Sequence, residues 1–168
     1  ADCDSLFALF QQGGLSVAEL AAYLETHMPD KLAMLDPVVR ARIEDGGAVS
    51  AREYLQRREL LEQAAIRAAE SFQQVDVWLH PTLPITAPTM SELEDLDSYR
   101  TYNMLALRNP SMANLMGLCA LSMPAGLDSQ GLPIGLQLTA AAYQETRLLA
   151  IAQAVDRVLG RRVPTVCQ

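Results

Sequence analysis

The 168-residue chain is poor in the residues that bind nucleic acids and has no apolar run long enough to cross a membrane. Its formal net charge is −7 and Lys31 is its single lysine, so no cluster of cations is available for a phosphate backbone. One Trp, five Tyr and three Phe offer little surface on which bases could stack. No apolar segment approaches the roughly 20 residues of a membrane helix. We therefore expect neither a nucleic-acid partner nor a membrane partner.

Cysteine is also scarce. Cys3, Cys119 and Cys167 lie far apart and form no CxxC pair, which argues against a disulfide framework and against a zinc site. The first residues contain neither the basic stretch nor the apolar stretch of a secretory signal. We therefore expect three free thiols in the reducing cytoplasm.

The sequence carries no recognisable catalytic or cofactor-binding motif. GxSxG, GxxxxGK[ST], HExxH and the Gly-rich dinucleotide fingerprint are all missing. Of the two histidines, His27 is predicted to interact with a helix C-terminus. His80 is predicted to have a capping or hydrogen-bonding role at a strand end or, alternatively, to reach a cleft. No Cys lies near either His in sequence, so an independent Cys or His hydrolase is not favoured. From the residues alone we expect no catalytic set, no cofactor and no metal.

We treat the chain as a single unit with four parts: a helical part (1–73), a part with strands, a Pro-rich loop and a hairpin (74–140), a final helix (141–160) and a tail (161–168). Start and stop signals divide the first part into several helices, the last of them long and amphipathic. These signals are capping boxes at Ser16/Glu19 and Ser50/Glu53, a start at Asp36-Pro37, and glycine stops at Gly13-Gly14 and Gly46-Gly47.

In the part from 74 to 140 the helical pattern is replaced by strand-forming residues and prolines. A strand is predicted from Val75 to Leu79, ended by His80-Pro81, and prolines then prevent regular structure. Two further strands, 120–123 and 134–138, flank turn residues at 128–131 and predict an antiparallel hairpin. A helix is predicted near 98–107, with a second helix start at Asn109-Pro110.

The segment 92–97 contains four acids and no base. A solvated loop or a helix start is the favoured interpretation, because charge runs usually face water. Metal binding by these acids is the less favoured alternative.

The predicted fold class is α/β, with a mixed sheet of few strands covered by helices. Three strands make a small sheet for so many apolar helices. Either the sheet is completed by polypeptide outside this chain, or one of its faces is exposed.

Three ordered segments resemble motifs of one enzyme family. Residues 76–88 (DVWLHPTLPITAP) resemble the D-apolar-apolar-x-Pro-Thr-x-Pro-x-x-Ala-Pro strand and loop of the amidase signature family. Residues 114–126 are similar to its N-x-x-G-x-P-A-x-S-x-P-x-G motif, although Cys119 replaces the usual Pro, and residues 131–138 are similar to its G-x-P-x-G-x-Q strand. With weaker matches at 39–46 and 49–54, the resemblance covers roughly residues 37–160.

The resemblance implies amide hydrolysis through an acyl-enzyme, with a nucleophilic Ser, a second Ser on a cis peptide bond and a Lys base. Those groups lie in the earlier half of the family's sequences. This chain has no Gly-Ser-Ser-Gly-Gly-Ser stretch, and Lys31 has no Ser-rich partner, so no catalytic residue carries over. We therefore expect the C-terminal portion of the amidase signature fold, about the last third of such an enzyme, inactive alone. The alternative is a non-catalytic α/β protein-interaction module derived from the amidase scaffold.

The resemblance also suggests partners and contacts. The expected partners are a small-molecule amide in the intact enzyme, the missing N-terminal portion, and a second copy of the chain through a truncated face. Arg42 matches a position where glutamine-hydrolysing members place a carboxylate-binding arginine, and Met104 and Asn109 are candidates for the same cleft. Leu105 stands where those members have an acid. This difference argues against glutamine and for a different or less polar amide.

Overall fold

The computed structural model describes residues 3–160, and for residues 38, 42 and 45–47 it describes the helical backbone only. The predicted tail 161–168, with Cys167, lies outside the described residues. The elements are α1 (Cys3–Gln11), α2 (Ser16–His27), α3 (Pro37–Gly47), α4 (Ala51–Ser71), β1 (Trp78–Pro81), α5 (Leu96–Leu115), β2 (Cys119–Leu127), β3 (Pro133–Ala140) and α6 (Glu145–Leu159), with short 3-10 helices at Pro29–Met34 and Ser91–Leu93.

Two compact units divide the chain, Ala1–Ala64 and Ala65–Gln168. The first is entirely helical over its described residues, and its buried cluster consists of Ala21, Leu24 and Ile43. The second contains the sheet. No helix among residues 3–160 has the length and apolar character needed to span a bilayer.

Local signals predict most helix ends of the first unit correctly. α3 runs from Pro37 to Gly47, as the start and stop signals predicted. The Ser50 cap is confirmed, since the backbone N–H of Glu53 donates to Ser50 Oγ at 3.2 Å. α2 ends at His27, whose ring contacts that of Tyr23 with a centroid separation of 4.8 Å.

The predicted Ser16 cap is wrong. Ser16 is the first residue of α2, and its hydroxyl donates to the carbonyl of Gly13 at 3.1 Å. Gly13 and Gly14 adopt positive φ angles of 86° and 60°, and the N–H of Gly14 donates to the Leu9 carbonyl at 3.0 Å. The glycine pair therefore caps α1, as predicted. After the glycine pair, Leu15 already has helical backbone angles and occupies the N-cap position. The Ser16 hydroxyl therefore bonds to the preceding turn and not to the start of the helix.

The sheet has the strand order β1-β3-β2 and is antiparallel throughout. The α/β class with few strands is confirmed, but the expected mixed pairing is wrong. β2 and β3 form a hairpin, so they must be antiparallel. β1 pairs with the opposite edge of β3 and runs in the same direction as β2, so this pair is antiparallel too. The predicted turn is confirmed: Asp128 Oδ1 accepts from the N–H groups of Gln130 and Leu132, both at 2.8 Å.

Two strands have different limits from those predicted. β1 starts at Trp78 instead of Val75, because Trp78 is the first residue with a partner on β3, Thr139. β2 continues through Pro124 to Leu127, beyond its predicted end. It is an edge strand with a bulge between Pro124 and Gly126, and these are the two settings in which a sheet tolerates a proline.

Helix α5 is continuous, whereas two separate segments were predicted. Pro110 lies inside it and cannot donate a backbone hydrogen bond. An interior proline costs roughly 3 kcal/mol. Ser111 and Ala113, which follow it, are both buried, so tertiary packing contributes to the continuity of the helix.

Both faces of the second half of the central strand β3, residues 137–140, are buried. Leu138 and Ala140 pack on one face with Met123 of β2 and with Leu148 and Ala152 of α6. The alternating residues Gln137 and Thr139 point to the opposite face and are also buried, with Gln137 Nε2 donating to Thr139 Oγ1 at 3.2 Å. Over the described residues, the outer edges of β1 and β2 have no strand partner.

Candidate functional site

The three sequence motifs meet at Gly135 of β3. Thr82, directly after β1, donates its backbone N–H to the Gly135 carbonyl at 2.8 Å. The hydroxyls of Thr82 and of Ser122 on β2 lie 2.6 Å apart. A Cβ at position 135 would come within 2.7 Å of Thr82 Oγ1 and 2.9 Å of Ser122 Oγ. Residue 135 must therefore be a glycine if the two hydroxyls are to form their bond across the central strand.

Beside this junction lies a cleft of about 570 Å³, which we call the proline cleft. One wall is the loop from Leu83 to Pro88, which has no regular structure. The hairpin and the segment before and within α5 complete the lining. The remaining lining residues are Glu92, Tyr102, Asp128, Gln130, Pro133, Ile134 and Gly135.

Two carboxylates of the proline cleft have lowered pKa values. Glu92 Oε2 accepts from the N–H of Thr89 at 2.8 Å and from its hydroxyl at 2.7 Å, and Oε1 accepts from Tyr102 Oη at 3.2 Å. These bonds, the backbone bond of Thr89 first, hold the pKa of Glu92 below its usual value, and the same contact raises the pKa of Tyr102. The N–H of Leu132 is the main cause of the lowered pKa of Asp128.

The lining therefore carries negative charge at neutral pH. Both carboxylates are ionised, and no Lys, Arg or His is among the described residues that line the cleft. Such a lining suits a neutral or cationic group and repels an anion.

Asn109 lies at the edge of this arrangement. Its Nδ2 donates to the carbonyl of Pro81 at 2.8 Å, and its Oδ1 accepts from Arg108 Nε at 3.2 Å. Both ends of the side-chain amide are thus bonded within the protein. Its predicted role in contacting substrate stays a prediction.

Met104 does not line the proline cleft, and Arg42 lies in the other unit of the chain. Met104 is half-buried on α5. Arg42 lies on α3, and its side chain is outside the described residues. Their substrate contacts also stay predictions.

The acidic segment is a helix start, as the favoured interpretation predicted. Asp95 is the N-cap of α5, where its Oδ1 accepts from the N–H groups of Asp97 and Ser98, both at 3.0 Å. No group of three His, Cys, Asp or Glu residues that could hold a metal occurs in the described part of the chain. The interpretation did not identify Glu92 as a residue of the proline cleft, because its hydrogen-bond partner Tyr102 lies ten positions further on.

The histidines do not form a base for a nucleophile. His80 Nδ1 lies 3.0 Å from the carbonyl of its neighbour Pro81, which matches the predicted hydrogen-bonding role. Among residues 3–160, neither histidine is hydrogen bonded to a Ser, Thr or Cys side chain. The hydroxyls of Thr82 and Ser122 bond to each other, and neither is hydrogen bonded to a histidine among the described residues.

A family model described as Amidase matches residues 14–149. The chain belongs to the amidase family. The resemblance of the three motifs to amidase signature enzymes is thereby confirmed.

Two curated relatives illustrate the amidase match. The chain is 43% identical over 159 residues to 2-amino-5-chloromuconic acid deaminase of Comamonas testosteroni, covering 95% of this chain and 34% of that protein. It is 34% identical over 114 residues to a fatty acid amide hydrolase of Oryza sativa subsp. indica, covering 67% of this chain and 19% of that protein. The chain thus spans about a third or less of the length of these relatives.

Solved structures support the same fold. A crystal structure of an amidase superposes with a TM-score of 0.76 at 23% identity, over 94% of this chain and 36% of the other. The allophanate hydrolase of Kluyveromyces lactis gives 0.74 at 23% identity, over 95% of this chain and 26% of the other. A 6-aminohexanoate cyclic dimer hydrolase gives 0.61 at 26% identity, over 74% of this chain and 28% of the other.

Proposed function

We propose that this chain is the C-terminal portion of an amide-hydrolysing enzyme, where it supplies scaffold and one wall of the substrate cleft. The observation that supports this most is the junction at Gly135, where residues from all three motifs assemble beside the proline cleft. Thr82, Ser122 and Gly135 belong to three separate motifs but meet at one point of the sheet. We therefore interpret the three motifs as parts of one structural unit.

The catalytic groups would come from polypeptide outside these 168 residues. A Lys base removes the proton of a nucleophilic Ser through a second Ser, the Ser oxygen attacks the amide carbonyl, and the amine leaves with a proton. Water then hydrolyses the acyl-enzyme to the acid and restores the Ser. The Nζ of Lys31, the single lysine, lies 3.9 Å from Met34 Sδ on an exposed 3-10 helix, and this supports the proposal that the chain alone is inactive.

The substrate proposed for the intact enzyme is a small neutral or cationic amide. Glu92 and Asp128 make the proline cleft negative, and Leu105 provides no carboxylate at the position where glutamine-hydrolysing members have one. Arg42 and Met104 are proposed as substrate contacts of the intact enzyme.

The two free edges of the sheet are the proposed contact with the rest of the enzyme. Leu79 on β1 is 55% exposed and Leu127 on β2 is 50% exposed, and neither strand has an outer partner among the described residues. An unpaired edge with apolar side chains is a template for another strand. When the remaining polypeptide is missing, we expect the chain to self-associate through these edges.

We place the enzyme in the cytoplasm. Cys3 is exposed and Cys119 is half-buried, and both are free thiols. Exposed free thiols persist in a reducing compartment. Alkylation of the protein inside intact cells, before lysis, tests this: both thiols should react without prior reduction.

A segment exchange tests the main proposal. The chain replaces its matching segment in 2-amino-5-chloromuconic acid deaminase, and hydrolysis of a panel of small neutral, cationic and anionic amides is assayed for the chimera and for the 168-residue chain alone. We expect turnover by the chimera and none above background by the chain. Turnover by the chain alone that His80→Ala abolishes, or a folded chimera without activity, would contradict the proposal.

The alternative is a non-catalytic interaction module, and the exposed edges of β1 and β2 favour it as a second candidate. A module would bind a partner protein through those edges without restoring amide hydrolysis. The chimera separates the two, since only the enzyme portion restores turnover.

A further inference from the structure

Two side chains of α5 attach the loop that forms one wall of the proline cleft. At the start of the loop, Asn109 Nδ2 donates to the Pro81 carbonyl at 2.8 Å. At its end, Tyr102 Oη donates to Glu92 Oε1 at 3.2 Å. Tyr102 and Asn109 are seven positions apart, so they lie on one face of α5, about 10 Å or two turns from each other.

Between these attachments the loop has few other restraints. Residues 82–90 form no helix or strand, and the prolines at 84 and 88 cannot donate backbone hydrogen bonds. At its start the loop is held by the sheet: the N–H of Thr82 donates to the Gly135 carbonyl at 2.8 Å, and the Thr82 hydroxyl lies 2.6 Å from that of Ser122. Beyond Thr82, the position of the wall therefore depends on the attachments that α5 makes at Pro81, just before the loop, and at Glu92, just after it.

We propose that Asn109 and Tyr102 are positioning residues, which fix the loop 82–92 at a set distance from the hairpin and so set the width of the proline cleft. Asn109 acts through the Pro81 carbonyl instead of touching the substrate, because both ends of its amide are already bonded. The proposal rests on the proposed function for the role of the cleft, and on the two hydrogen bonds for the attachment of the loop.

Tyr102 has a second effect because it lines the cleft as well as holding the loop. Its hydroxyl bonds to one oxygen of Glu92, while Thr89 bonds to the other through its N–H and hydroxyl. Glu92 thus joins the helix to the loop. The only other carboxylate that lines the described cleft is Asp128 on the hairpin.

Residue-resolved amide hydrogen exchange on the 168-residue chain tests the first attachment. Asn109→Asp keeps the shape and the acceptor for Arg108 but removes the donor to Pro81. We expect the Thr82 amide to exchange about tenfold faster, the scale of one hydrogen bond, while the Thr89 amide is unchanged. Asn103→Ala, on the same helix, is the matched control and should leave both amides unaltered.

The second attachment is tested by NMR titration of the Glu92 carboxyl. Tyr102→Phe removes only a hydroxyl, and we expect it to raise the titration midpoint of Glu92 and to speed exchange at Thr89, with the midpoint of Asp128 unmoved. Tyr99→Phe is the control. A role in packing alone would not move a single carboxyl midpoint.

Three results would overturn the proposal. The first is wild-type protection of Thr82 in Asn109→Asp, and the second is an unchanged Glu92 midpoint in Tyr102→Phe. The third is faster exchange throughout β2 and β3, which would mean that these residues stabilise the whole unit and not the loop. Neither readout involves turnover, so failure here is separable from failure of the proposed hydrolase function.

Discussion

The hydroxyls of Thr82 and Ser122 form a 2.6 Å hydrogen bond across the central strand, above a residue that has no side chain. Their bond joins the outer strands of the sheet without passing through the backbone ladder. Gly135, between them, is the residue that allows the approach. Three motifs that look independent in sequence are therefore coupled at one point.

The substitution Gly135→Ala should destabilise the second unit. The new methyl would lie 2.7 Å from Thr82 Oγ1 and 3.1 Å from Thr82 Cβ, so the loop or the strand must shift. Overpacking of this kind costs about 1–3 kcal/mol. Urea unfolding followed by fluorescence of Trp78 measures the change, with Ser129→Ala in the hairpin turn as a neutral comparison. An unchanged midpoint would mean that the junction is not tightly packed.

A comparison of Arg57 and Arg58 tests the importance of burial in the first unit. Each pairs with a glutamate one turn away, but the Arg57 side chain is 10% exposed and that of Arg58 is 56% exposed. Arg57 also donates to the carbonyls of Gly14 at 2.8 Å and Gln12 at 3.2 Å.

We expect Arg57→Ala to lower the free energy of unfolding by about 2 kcal/mol, because the carbonyl of the buried Gly14 loses its donor. Arg58→Ala should change it by less than about 0.5 kcal/mol, as is usual for an exposed ion pair. Chemical denaturation of both variants measures this. Equal effects would show that the buried bonds of Arg57 contribute nothing.

The start of α5 should depend on pH through Asp95. Hydrogen bonds from Ser98, its side chain first and then its backbone, lower the pKa of Asp95 below the usual 3.8. A carboxylate with a lowered folded pKa contributes its stabilisation above the unfolded value and loses it as the pH falls through the folded value. We therefore expect the first turn of α5 to fray only below about pH 4.

Amide exchange at Asp97 and Ser98 as a function of pH measures this fraying. Asp95→Asn keeps a capping oxygen without the charge, so it should remove the pH dependence while retaining the helix start. Glu94→Gln, at the adjacent acid, is the control and should keep the wild-type profile. Fraying of Asp95→Asn with the same midpoint would assign the effect to another group.

The turn between β2 and β3 should depend on Gly131, whose φ is +82°. Gly131→Ala places a side chain in the left-handed region, at a cost of about 1–2 kcal/mol, although nothing lies within 4 Å of the new methyl. Gln130→Ala, one residue earlier, should be nearly neutral. Thermal unfolding of both variants measures the difference, and an equal loss would exclude backbone strain as the cause.

Features encoded within a few residues were predictable from the sequence. The start of α3 at Asp36-Pro37 and the hairpin turn at Asp128 each depend on neighbours in the chain, and both are confirmed. Ser16 shows the limit of such rules, because two preceding glycines changed the backbone that its hydroxyl met.

Features that depend on distant partners were not predictable. The first residues of the predicted strand, Val75 to Val77, have the right composition, but β3 offers a partner only from Trp78 onward. The buried residues after Pro110 keep α5 continuous where local rules end a helix. In the site, Thr82 and Ser122 were within recognised motifs, yet nothing local indicates that side chains 40 positions apart form a bond.

The strand order also determines when the sheet can form during synthesis. Among residues 3–160, β1 and β2 each pair with β3, which is synthesised after both. A nascent chain that has not yet reached residue 133 therefore carries these two extended segments without the strand that joins them, and such segments are open to intermolecular association. Slow translation just before the hairpin turn would prolong that vulnerable interval, and a chaperone that shields extended chains would act there.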